Sequence, residues 1–248
     1  MSPDSMEIRM RAGECFHSLR VPPGAFAILR VDGRSFSKLT ERRAQKPFDA
    51  AFHAHMVAAA SGLLETLQGL YAYTESDEIS VLLPRSSDLF DRELEKLVSI
   101  ASARAAATIS LALGEVVELD GRVWVGARDE DVVDYFLWRQ ADAGRCALNT
   151  TCHWTLRQAG RSVREATRAL EKATVADKNE LLHAHGLVFA KLPAWQRRGT
   201  GVSWQRVPHR GFDPIRGQAV ETTRRRLRVD DELPMKSAYA DYVRTLLA

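Results

Sequence analysis

The chain has 248 residues, of which 45% are hydrophobic and 27% are charged, and its formal net charge is +3. This composition excludes a disordered chain, which would be less apolar, and a fibrous one, which would be less mixed. The length suffices for one large domain or two small ones with a sizeable core. No apolar run approaches the ~20 residues of a membrane span. The first residues include Asp4 and Glu7 without an apolar stretch, so no signal peptide is expected.

The three cysteines, Cys15, Cys146 and Cys152, form no C-x-x-C pair. An odd number without such a pair makes a disulfide framework unexpected and fits a reducing compartment. We therefore expect a soluble cytoplasmic protein. Cys152 stands next to His153, but ordinary packing explains one such pair better than a metal site does.

The first half of the chain has the element order β-α-β-β-α-β. The predicted elements are a strand at 25–31 that stops at Asp32-Gly33, a helix at 49–70, strands at 71–73 and 79–83 joined by a turn at 74–77, a helix at 88–107 with Asp88 as N-cap, and a strand region at 116–125 broken by Asp120-Gly121. The strands are too many for an all-helical domain, and helices separate the strand groups. This order predicts an α+β fold with helices packed on one face of a sheet.

The second half is predicted to be mostly helical and then rich in arginine. Helices are expected at 130–142, 147–158 and 162–172, and capping boxes at Ser162/Glu165 and Thr174/Asp177. Past Leu187 the chain is rich in Pro, Gly and Arg, with short strand-like pieces. Residues 197–228 hold nine arginines and two acidic residues, a local net charge of +7, which indicates an anionic partner.

Acidic residues lie at two places where predicted strands end. Asp32 closes the first strand, and Asp77 and Glu78 lie at the hairpin turn. In a βαββ arrangement the two places can lie side by side, where carboxylates repel each other unless divalent cations lie between them. Such a pair suits a two-metal site for transfer at phosphorus. From the residues alone, an ordinary turn and a solvated hairpin tip remain the open alternative.

Two further patterns suggest contacts with phosphate and RNA. Residues 33–36 follow the first strand and could present backbone N–H groups to a triphosphate. Trp195, Trp204 and Phe212 lie among the C-terminal arginines, which suits base stacking beside phosphate contacts, although strand aromatics facing a core explain the pattern equally well. His53, two residues from another histidine, is interpreted as a surface or core-edge residue.

Seven short motifs occur in a fixed order along the chain. They are Arg30-Val31-Asp32-Gly33-Arg34-Ser35-Phe36, Lys46-Pro47-Phe48-Asp49, Ser76-Asp77-Glu78-Ile79-Ser80, Asp120-Gly121-Arg122-Val123, Tyr135-Phe136-Leu137-Trp138-Arg139-Gln140-Ala141-Asp142, Ala176-Asp177-Lys178-Asn179-Glu180 and Arg198-Gly199-Thr200. In these motifs the chain resembles the tRNA-histidine guanylyltransferase family, including its branch of guanylyltransferase-like 3′–5′ polymerases. Any one motif is weak, but seven in order favour the two-metal interpretation of Asp32 and Asp77.

The resemblance implies a fold like the palm of 5′–3′ polymerases and nucleotide cyclases, an antiparallel βαββαβ sheet with helices on one face. It implies a palm-like catalytic region at 1–140 and a helical, arginine-rich region at 141–248, joined in one compact unit. It also implies an Mg²⁺-dependent nucleotidyltransferase that adds nucleotides to the 5′ end of tRNA. Two Mg²⁺ ions, ATP, GTP or another nucleoside triphosphate, tRNA and a homotetramer are the implied cofactors, substrates and partners, with no membrane.

The motifs also imply roles for individual residues. Asp32, Asp77 and the carbonyl of Gly33 match metal ligands, and Glu78 matches an adjacent essential acid. Further roles are backbone contacts to a triphosphate for Arg34, Ser35 and Phe36, contacts to the activating nucleotide for Lys46, Asp49 and Ser76, and contacts to a second triphosphate or the RNA 5′ end for Arg30, Arg122 and Lys178. RNA contacts are expected from Arg139, Arg197, Arg198, Arg224, Arg225 and Arg226.

Two departures from the family pattern bear on function. Residues 144–150 lack the histidine and both middle asparagines of a segment that is tied, in eukaryotic members, to the transfer step and to untemplated G addition on histidine tRNA. Their absence favours template-dependent repair of 5′-truncated tRNA, and it leaves a non-catalytic RNA-binding relative as the alternative. Glu75 stands where glutamine is common in the family, which adds a negative charge beside the expected metal ligands.

Overall fold

A six-stranded antiparallel sheet lies between two layers of helices in the computed structural model, which describes residues 3–213 and 217–247. In chain order the elements are α1 (Pro3–Arg11), β1 (Phe26–Gly33), α2 (Phe36–Arg43), α3 (Ala50–Thr66), β2 (Tyr71–Glu75), β3 (Glu78–Leu83), α4 (Leu94–Leu113), β4 (Leu119–Gly126), α5 (Asp129–Gln158), α6 (Val163–Leu170), α7 (Val175–Ala184), α8 (Ala194–Arg198), β5 (Thr200–Asp213), β6 (Gln218–Asp230) and α9 (Ser237–Leu247). The strand order is β4-β1-β3-β2-β5-β6. The predicted α+β fold is confirmed.

The central strands are apolar on both faces because both faces are covered. Every residue of β3 is buried, and so are the first four residues of β1 and of β2. An antiparallel sheet with one face in water would instead alternate apolar and polar residues. The continuous apolar runs of the sequence therefore reflect two helical layers.

The two faces of the sheet pack against different helices. Leu29 and Val31 of β1 lie in one buried cluster with residues of α3 and α4. Phe26 and Ile28, on the other face of the same strand, lie in a second buried cluster with residues of α5 and α9. The two helices of the predicted βαββαβ unit, α3 and α4, thus lie on one face as predicted, and α5 and α9 from the second half of the chain cover the other.

α5 is one helix of 30 residues, although the sequence predicts a break between 142 and 147. Its buried residues run from Val132 to Thr155, so the same helix covers the sheet with its first half and α6 to α8 with its second. The boundary predicted between residues 140 and 141 falls inside α5 and stays a prediction. α6 and α7 begin with the predicted capping boxes at Ser162 and Thr174.

α4 begins later and ends later than predicted. Asp88 starts a separate 3-10 turn over Leu89–Arg92, and α4 starts at Leu94. Arg92 explains the interruption, since its guanidinium donates hydrogen bonds to the carbonyls of Val21, Pro22 and Ala25 that precede β1. The turn thus fixes the entry of the chain into the central strand.

β4 is continuous from Leu119 to Gly126, without the predicted break. Gly121 pairs with Val31 inside the ladder. A Cβ at position 121 would collide with the Ser102 side chain of α4, so the glycine allows α4 to approach the sheet closely.

The arginine-rich tail forms one long hairpin instead of short strand pieces. β5 pairs with β2 through Thr200–Ser203 and continues with β6 as far as Asp213. Beyond Ser203, within the described part of the chain, these two strands pair only with each other. The exposed Arg224, Arg225 and Arg226 lie on this part of β6.

α4 is the one described helix that is long and apolar enough to cross a membrane by length and composition. The buried side chains Leu97, Ala101, Ala105 and Ile109 form one stripe of this helix within the core cluster of α3 and the sheet. Other apolar residues of the helix, such as Leu111, are exposed.

Two leucines of α4 provide a test of this packing. Leu97 is 1% exposed in the core and Leu111 is 85% exposed. We expect Leu97→Ala to lower the free energy of unfolding by about 2–5 kcal/mol, because it leaves a cavity in the core. The matched Leu111→Ala should change it by less than about 0.5 kcal/mol. Urea unfolding followed by circular dichroism measures both, and equal effects would contradict the placement of α4.

Candidate active site

The ends of β1 and of the β2–β3 hairpin bring two predicted carboxylates together. Asp32 pairs with Glu78 in the β1–β3 register, and the N–H of Gly33 donates to the carbonyl of Asp77 at 3.1 Å. A Cβ at Gly33 would lie 2.9 Å from Asp77 Oδ2 and would also collide with the Phe36 ring. Glycine therefore lets the Asp77 carboxylate lie against the backbone next to Asp32.

Burial raises the pKa of both carboxylates, and a neighbouring negative charge adds to the effect in each. For Asp32 the main cause is burial, followed by the charge of Asp120, while Arg122 and Arg30 act in the opposite direction. For Asp77 burial is again the main cause, and the Asp32 charge also raises the pKa against a hydrogen bond from Ser76. Both groups are consequently stabilised in their charged form by any added positive charge between them.

This donor set fits Mg²⁺ that is shared with a phosphate-bearing substrate. No described group of three or more His, Cys, Asp or Glu side chains could hold a metal ion by itself. Mg²⁺ is usually held by one or two carboxylates with substrate phosphates and water completing its shell. Two carboxylates beside the Gly33 backbone meet that description, whereas a closed structural site would need more side chains.

Arg139 of α5 lies at the centre of a buried ion-pair cluster behind these carboxylates. Its guanidinium donates to both oxygens of Glu78 at 2.7 and 2.6 Å, to Glu75 at 3.1 Å and to Asp142 at 3.2 Å. The residue is only 5% exposed. The expectation that Arg139 contacts RNA is therefore corrected: its donors are engaged by acidic side chains, and its role is to hold Glu78 in place.

Glu75 carries the most perturbed carboxylate of the cluster. Burial first, and the neighbouring charge of Glu78 second, raise the pKa of Glu75 to about 8 against the opposing effect of Arg139. Burial likewise raises the pKa of Glu78, although the hydrogen bonds from Arg139 oppose it. One guanidinium thus faces more negative charge than it can neutralise, and Glu75 is the group that takes up a proton near neutral pH.

A cavity of about 400 Å³ opens beside Asp77, which is large enough for a nucleotide-sized ligand. Aromatic rings form much of its lining: Phe36, Phe48, Phe52, His53, Trp154 and Trp195. Lys46, Asp49 and Ser76, which the sequence assigns to the activating nucleotide, also line it. The assignment of these three residues to one site thus agrees with their placement.

The polar residues of the cavity differ in how free they are to bind a ligand. Lys46 Nζ donates to Thr40 Oγ1 at 2.7 Å, and burial lowers the pKa of its ammonium group. The Asp49 carboxylate accepts from the N–H groups of Phe52 and Gln45, which lowers its pKa and makes it the N-cap of α3. Lys46 is thus the ligand-facing charge, and Asp49 mainly shapes the wall.

The residues that follow Gly33 divide into two groups. The N–H of Arg34 donates to the Glu118 carbonyl at 2.9 Å, and its exposed side chain pairs with the Glu118 carboxylate. The expected backbone contact from Arg34 to a triphosphate is corrected, because that N–H is already engaged. Ser35 has a left-handed φ of 62° at the start of α2 and Phe36 lines the cavity, and their contacts to phosphate stay predictions.

Two of the predicted basic residues lie on the sheet face that carries Asp32. Arg30 and Arg122 are directly opposite each other in the β1–β4 register, and both lower the pKa of Asp32. Arg30 Nε lies 3.9 Å from Glu78 Oε2, and Arg122 donates to Asp120 at 2.7 Å. Lys178 instead lies on α7, where its carbonyl accepts from Cys152 of α5, and it does not line the cavity.

The C-terminal arginines and aromatics are distributed over several environments. Arg197 and Arg198 donate to the carbonyls of Leu192 and Leu233, which ties α8 to its neighbours. Trp204 packs against the core of the sheet and donates to the Gly69 carbonyl at 2.9 Å, which favours the core interpretation for this residue. The side chain of Phe212 lies outside the described residues.

One cluster of the cavity wall is not predicted from the sequence. The His53 ring stacks on Trp195 at 4.2 Å, and His53 Nε2 lies 3.2 Å from Asp231 Oδ1, which also accepts from Thr200. Burial lowers the pKa of His53 despite Asp231, so the ring is kept neutral. The contact joins residues 178 positions apart, and no local spacing signals it.

Comparison with known protein families places both halves of the chain. Residues 7–133 match a family described as "tRNAHis guanylyltransferase", and residues 130–240 match one described as "Thg1 C terminal domain". The chain is 30% identical over 198 residues to a probable tRNA(His) guanylyltransferase of Bos taurus, which covers 75% of this chain and 66% of that protein. It is 32% identical over 186 residues to a probable tRNA(His) guanylyltransferase of Dictyostelium discoideum, covering 70% and 73%. The chain spans about two thirds of the length of such relatives.

Solved structures share the fold along most of the chain. A bacterial tRNA(HIS) guanylyltransferase (Thg1)-like protein in complex with ATP superposes with a TM-score of 0.74 at 24% identity, covering 98% of this chain and 99% of that one. The tRNA(His) guanylyltransferase structure from Saccharomyces cerevisiae gives a TM-score of 0.71 at 22% identity, covering 77% and 91%. At these identities the likeness establishes the fold.

The buried charge of Glu75 predicts a specific dependence of stability on pH. Its pKa is about 8 in the folded chain, against an ordinary value of 4.5 that applies to the unfolded chain. The folded state therefore binds more protons between these two pH values, and it loses stability as the pH rises through them. Glu75→Gln removes this loss. In chelator-containing buffer, the stability of Glu75→Gln relative to wild type should therefore rise from pH 5 to 9 by an amount of order 2–5 kcal/mol.

Urea unfolding at both pH values measures this difference. The exposed Glu65→Gln of α3 is the matched control and should show no comparable change. A Glu75→Gln difference that does not vary with pH would show that Glu75 is ionised in the folded chain throughout this range.

Proposed function

This chain belongs to the tRNAHis guanylyltransferase family, and on that premise we propose that it is an Mg²⁺-dependent nucleotidyltransferase that extends the 5′ end of a tRNA in the 3′–5′ direction. The observation that carries this proposal is the meeting of Asp32 and Asp77 beside Gly33, at the mouth of an aromatic-lined cavity. Two neighbouring, partly buried carboxylates, of which Asp32 raises the pKa of Asp77, suit added positive charge and phosphate better than packing.

The residues at the mouth would hold the metal. Asp32, Asp77 and the Gly33 carbonyl are its ligands in this proposal, and Mg²⁺ there would neutralise phosphate charge and lower the pKa of an attacking hydroxyl. Glu78 supports Asp32 across the β1–β3 register, because Arg139 fixes its orientation through two hydrogen bonds. The sheet and α5 therefore pre-organise the acidic end of the site before any substrate binds.

The cavity takes the activating nucleotide. Its aromatic lining suits a base and ribose, while Lys46 and Ser76 lie towards Asp77, where the phosphates would be. An oxygen of the RNA 5′-monophosphate attacks the α-phosphorus of the triphosphate, diphosphate leaves, and a 5′-nucleotidylated RNA results. Lys46 contributes a positive charge to this arrangement, and positioning with charge neutralisation is the main demand of phosphoryl transfer.

The second step uses the sheet face with Arg30 and Arg122. The 3′-hydroxyl of an incoming nucleoside triphosphate attacks the terminal RNA phosphorus, the activating mononucleotide leaves, and the hydroxyl proton passes to solvent or a nearby base. Arg30 and Arg122 would hold phosphate there, since both lie on the Asp32 face. The exposed Arg224–Arg226 run of β6 would contact the RNA backbone.

Template-dependent repair of 5′-truncated tRNA is the specific reaction we propose. Residues 144–150 lie within α5, and Cys146, Ala147 and Thr150 form part of the cavity wall. Because the family's histidine and both middle asparagines are absent here, base pairing with the opposite strand would select the nucleotide. A homotetramer, measurable by light scattering, is part of the same proposal.

Loss of the Asp77 carboxylate should abolish extension. We expect Asp77→Asn to reduce extension of a tRNA lacking its first 5′ nucleotide by more than the 10–100-fold typical of losing an outer-shell metal partner. Extension is measured with labelled nucleotides and Mg²⁺, and a chelator should abolish wild-type activity until Mg²⁺ is restored. Asp134→Asn, an exposed acid on α5, is the control and should retain activity.

The outcomes of this assay separate the two candidate functions. Extension by the nucleotide complementary to the opposite strand supports repair, whereas extension by G alone on histidine tRNA supports untemplated addition. Tight tRNA binding with no extension from either a 5′-monophosphate or a 5′-triphosphate would contradict the enzyme and leave an RNA-binding relative.

The charge of Lys46 should matter for activation more than for transfer. We expect Lys46→Met to reduce extension of 5′-monophosphorylated tRNA about 10–100-fold, the equivalent of one charge-assisted hydrogen bond. A 5′-triphosphorylated tRNA needs no activation and should be extended at close to the wild-type rate. Lys38→Met, which removes an exposed lysine of α2, is the matched control. Equal losses on both RNAs would contradict the assignment of the cavity to the activating nucleotide.

A further inference from the structure

Trp138 is a large aromatic residue that α5 leaves in water beside the acidic end of the sheet. It is 53% exposed, although its helical neighbours Tyr135, Phe136 and Arg139 are all buried. Its ring is therefore accessible to a ligand at the edge of a charged site. The indole ring takes no part in the two steps proposed for the site.

The indole ring is held in one orientation by its neighbours. The Tyr135 ring meets it edge-on at 5.7 Å between centroids, and Tyr135 is anchored by a hydrogen bond of 2.9 Å between its hydroxyl and Ser80. The Arg139 guanidinium lies 4.6 Å from the centre of the same ring, and Arg139 is itself fixed by Glu78. A ring with such supports loses little conformational entropy when a ligand stacks on it.

Unsatisfied positive charge lies next to this ring. The Arg30 guanidinium is 5.6 Å from the Trp138 ring centre, and Arg30 Nε is buried without a hydrogen-bond partner among the described residues. Its nearest acid, Glu78, lies 3.9 Å away and is already bound by Arg139. Arg122, opposite Arg30 in the register, is half exposed. The face therefore combines an open aromatic ring with guanidinium groups that lack a full set of acceptors.

We propose that Trp138 is a stacking platform for the nucleobase that takes part in the transfer step, with the phosphate of that nucleotide bound by Arg30 and Arg122. This inference rests on the proposed function and adds a specific positioning residue to it. A base with a phosphate matches both halves of the face, because bases stack on tryptophan and phosphate oxygens accept from guanidinium groups. The base belongs either to the 5′ end of the RNA or to the incoming nucleotide.

Fluorescence of 2-aminopurine tests the stacking directly. One arm uses a 5′-truncated tRNA with 2-aminopurine as its terminal base and no free nucleotide, and the other uses 2-aminopurine riboside triphosphate alone. Wild type, Trp138→Leu and Trp138→Phe are compared, and Trp204→Phe on the hairpin is the matched control. Because Trp154 and Trp195 line the cavity, the signal of interest is the quenching that disappears in Trp138→Leu.

We expect wild type to quench the probe, Trp138→Leu to lose that quenching and weaken binding about tenfold, and Trp138→Phe to keep most of the affinity. Trp204→Phe should behave as wild type. Loss with the RNA probe identifies the RNA 5′ end, and loss with the triphosphate identifies the incoming nucleotide. Equal quenching and affinity in wild type and Trp138→Leu, with both probes, would overturn the proposal and leave Trp138 as a cover over the Arg139–Glu78 ion pair.

Two features keep the outcome interpretable. If Trp138→Leu does not fold, tryptophan emission of wild type and Trp138→Phe is titrated with unlabelled RNA and with GTP. A quenching component that Trp138→Phe lacks supports the proposal, and identical quenching overturns it. Neither probe experiment needs turnover. A protein that stacks the base but never extends RNA defeats the proposed function alone, and one that extends RNA without stacking defeats this inference alone.

Discussion

The acidic end of the sheet depends on one buried positive charge. Arg139 is engaged by Glu78, Glu75 and Asp142 at a depth where only 5% of the residue is exposed. Removing one partner from such a cluster typically costs about 3–5 kcal/mol, because the remaining charges stay buried and uncompensated. Arg139 projects from α5. The packing of this helix against the sheet therefore also places the positive charge that offsets the buried carboxylates.

The same helix explains why one face of the sheet carries a buried cluster of charged side chains and the other face does not. On the α3 and α4 side the covering residues are apolar throughout the buried cluster. On the α5 side, Phe136 and Val133 give way to Arg139 one turn further along, at the level where β1 ends in Asp32. Within about one turn of α5, the contacts to the sheet change from apolar side chains to hydrogen-bonded charged ones. The exposed ring of Trp138 lies at this transition.

Both departures from the family pattern have a structural counterpart. The additional charge of Glu75 is placed against Arg139 and is partly relieved by a pKa of about 8, so it is tolerated without a new partner. Residues 144–150 continue α5 and line the cavity with small side chains. The first departure adds a titratable group beside Arg139, and the second sets the side chains of the cavity wall. Neither displaces Asp32, Gly33 or Asp77.

Local patterns in the sequence were enough to determine the elements that present the carboxylates. The apolar strand before Asp32, the hairpin around Asp77 and the caps at Ser162 and Thr174 depend on contacts between residues close in the chain, and all are found. The resemblance to a family added which carboxylates and basic residues to group. It could not say which of their donors were already occupied.

Only the tertiary structure decided which hydrogen-bond donors are already engaged within the protein. Arg139 meets Glu78 across 61 positions, and His53 meets Asp231 across 178. Such contacts turn an expected RNA-binding arginine into a buried support, and a histidine at the core edge into part of a cavity wall. Each side chain can form only a limited number of hydrogen bonds, and the groups that the fold places next to it take these up before a substrate binds. The sequence by itself thus determined which groups were available, and only the folded chain decided which were left free for a substrate.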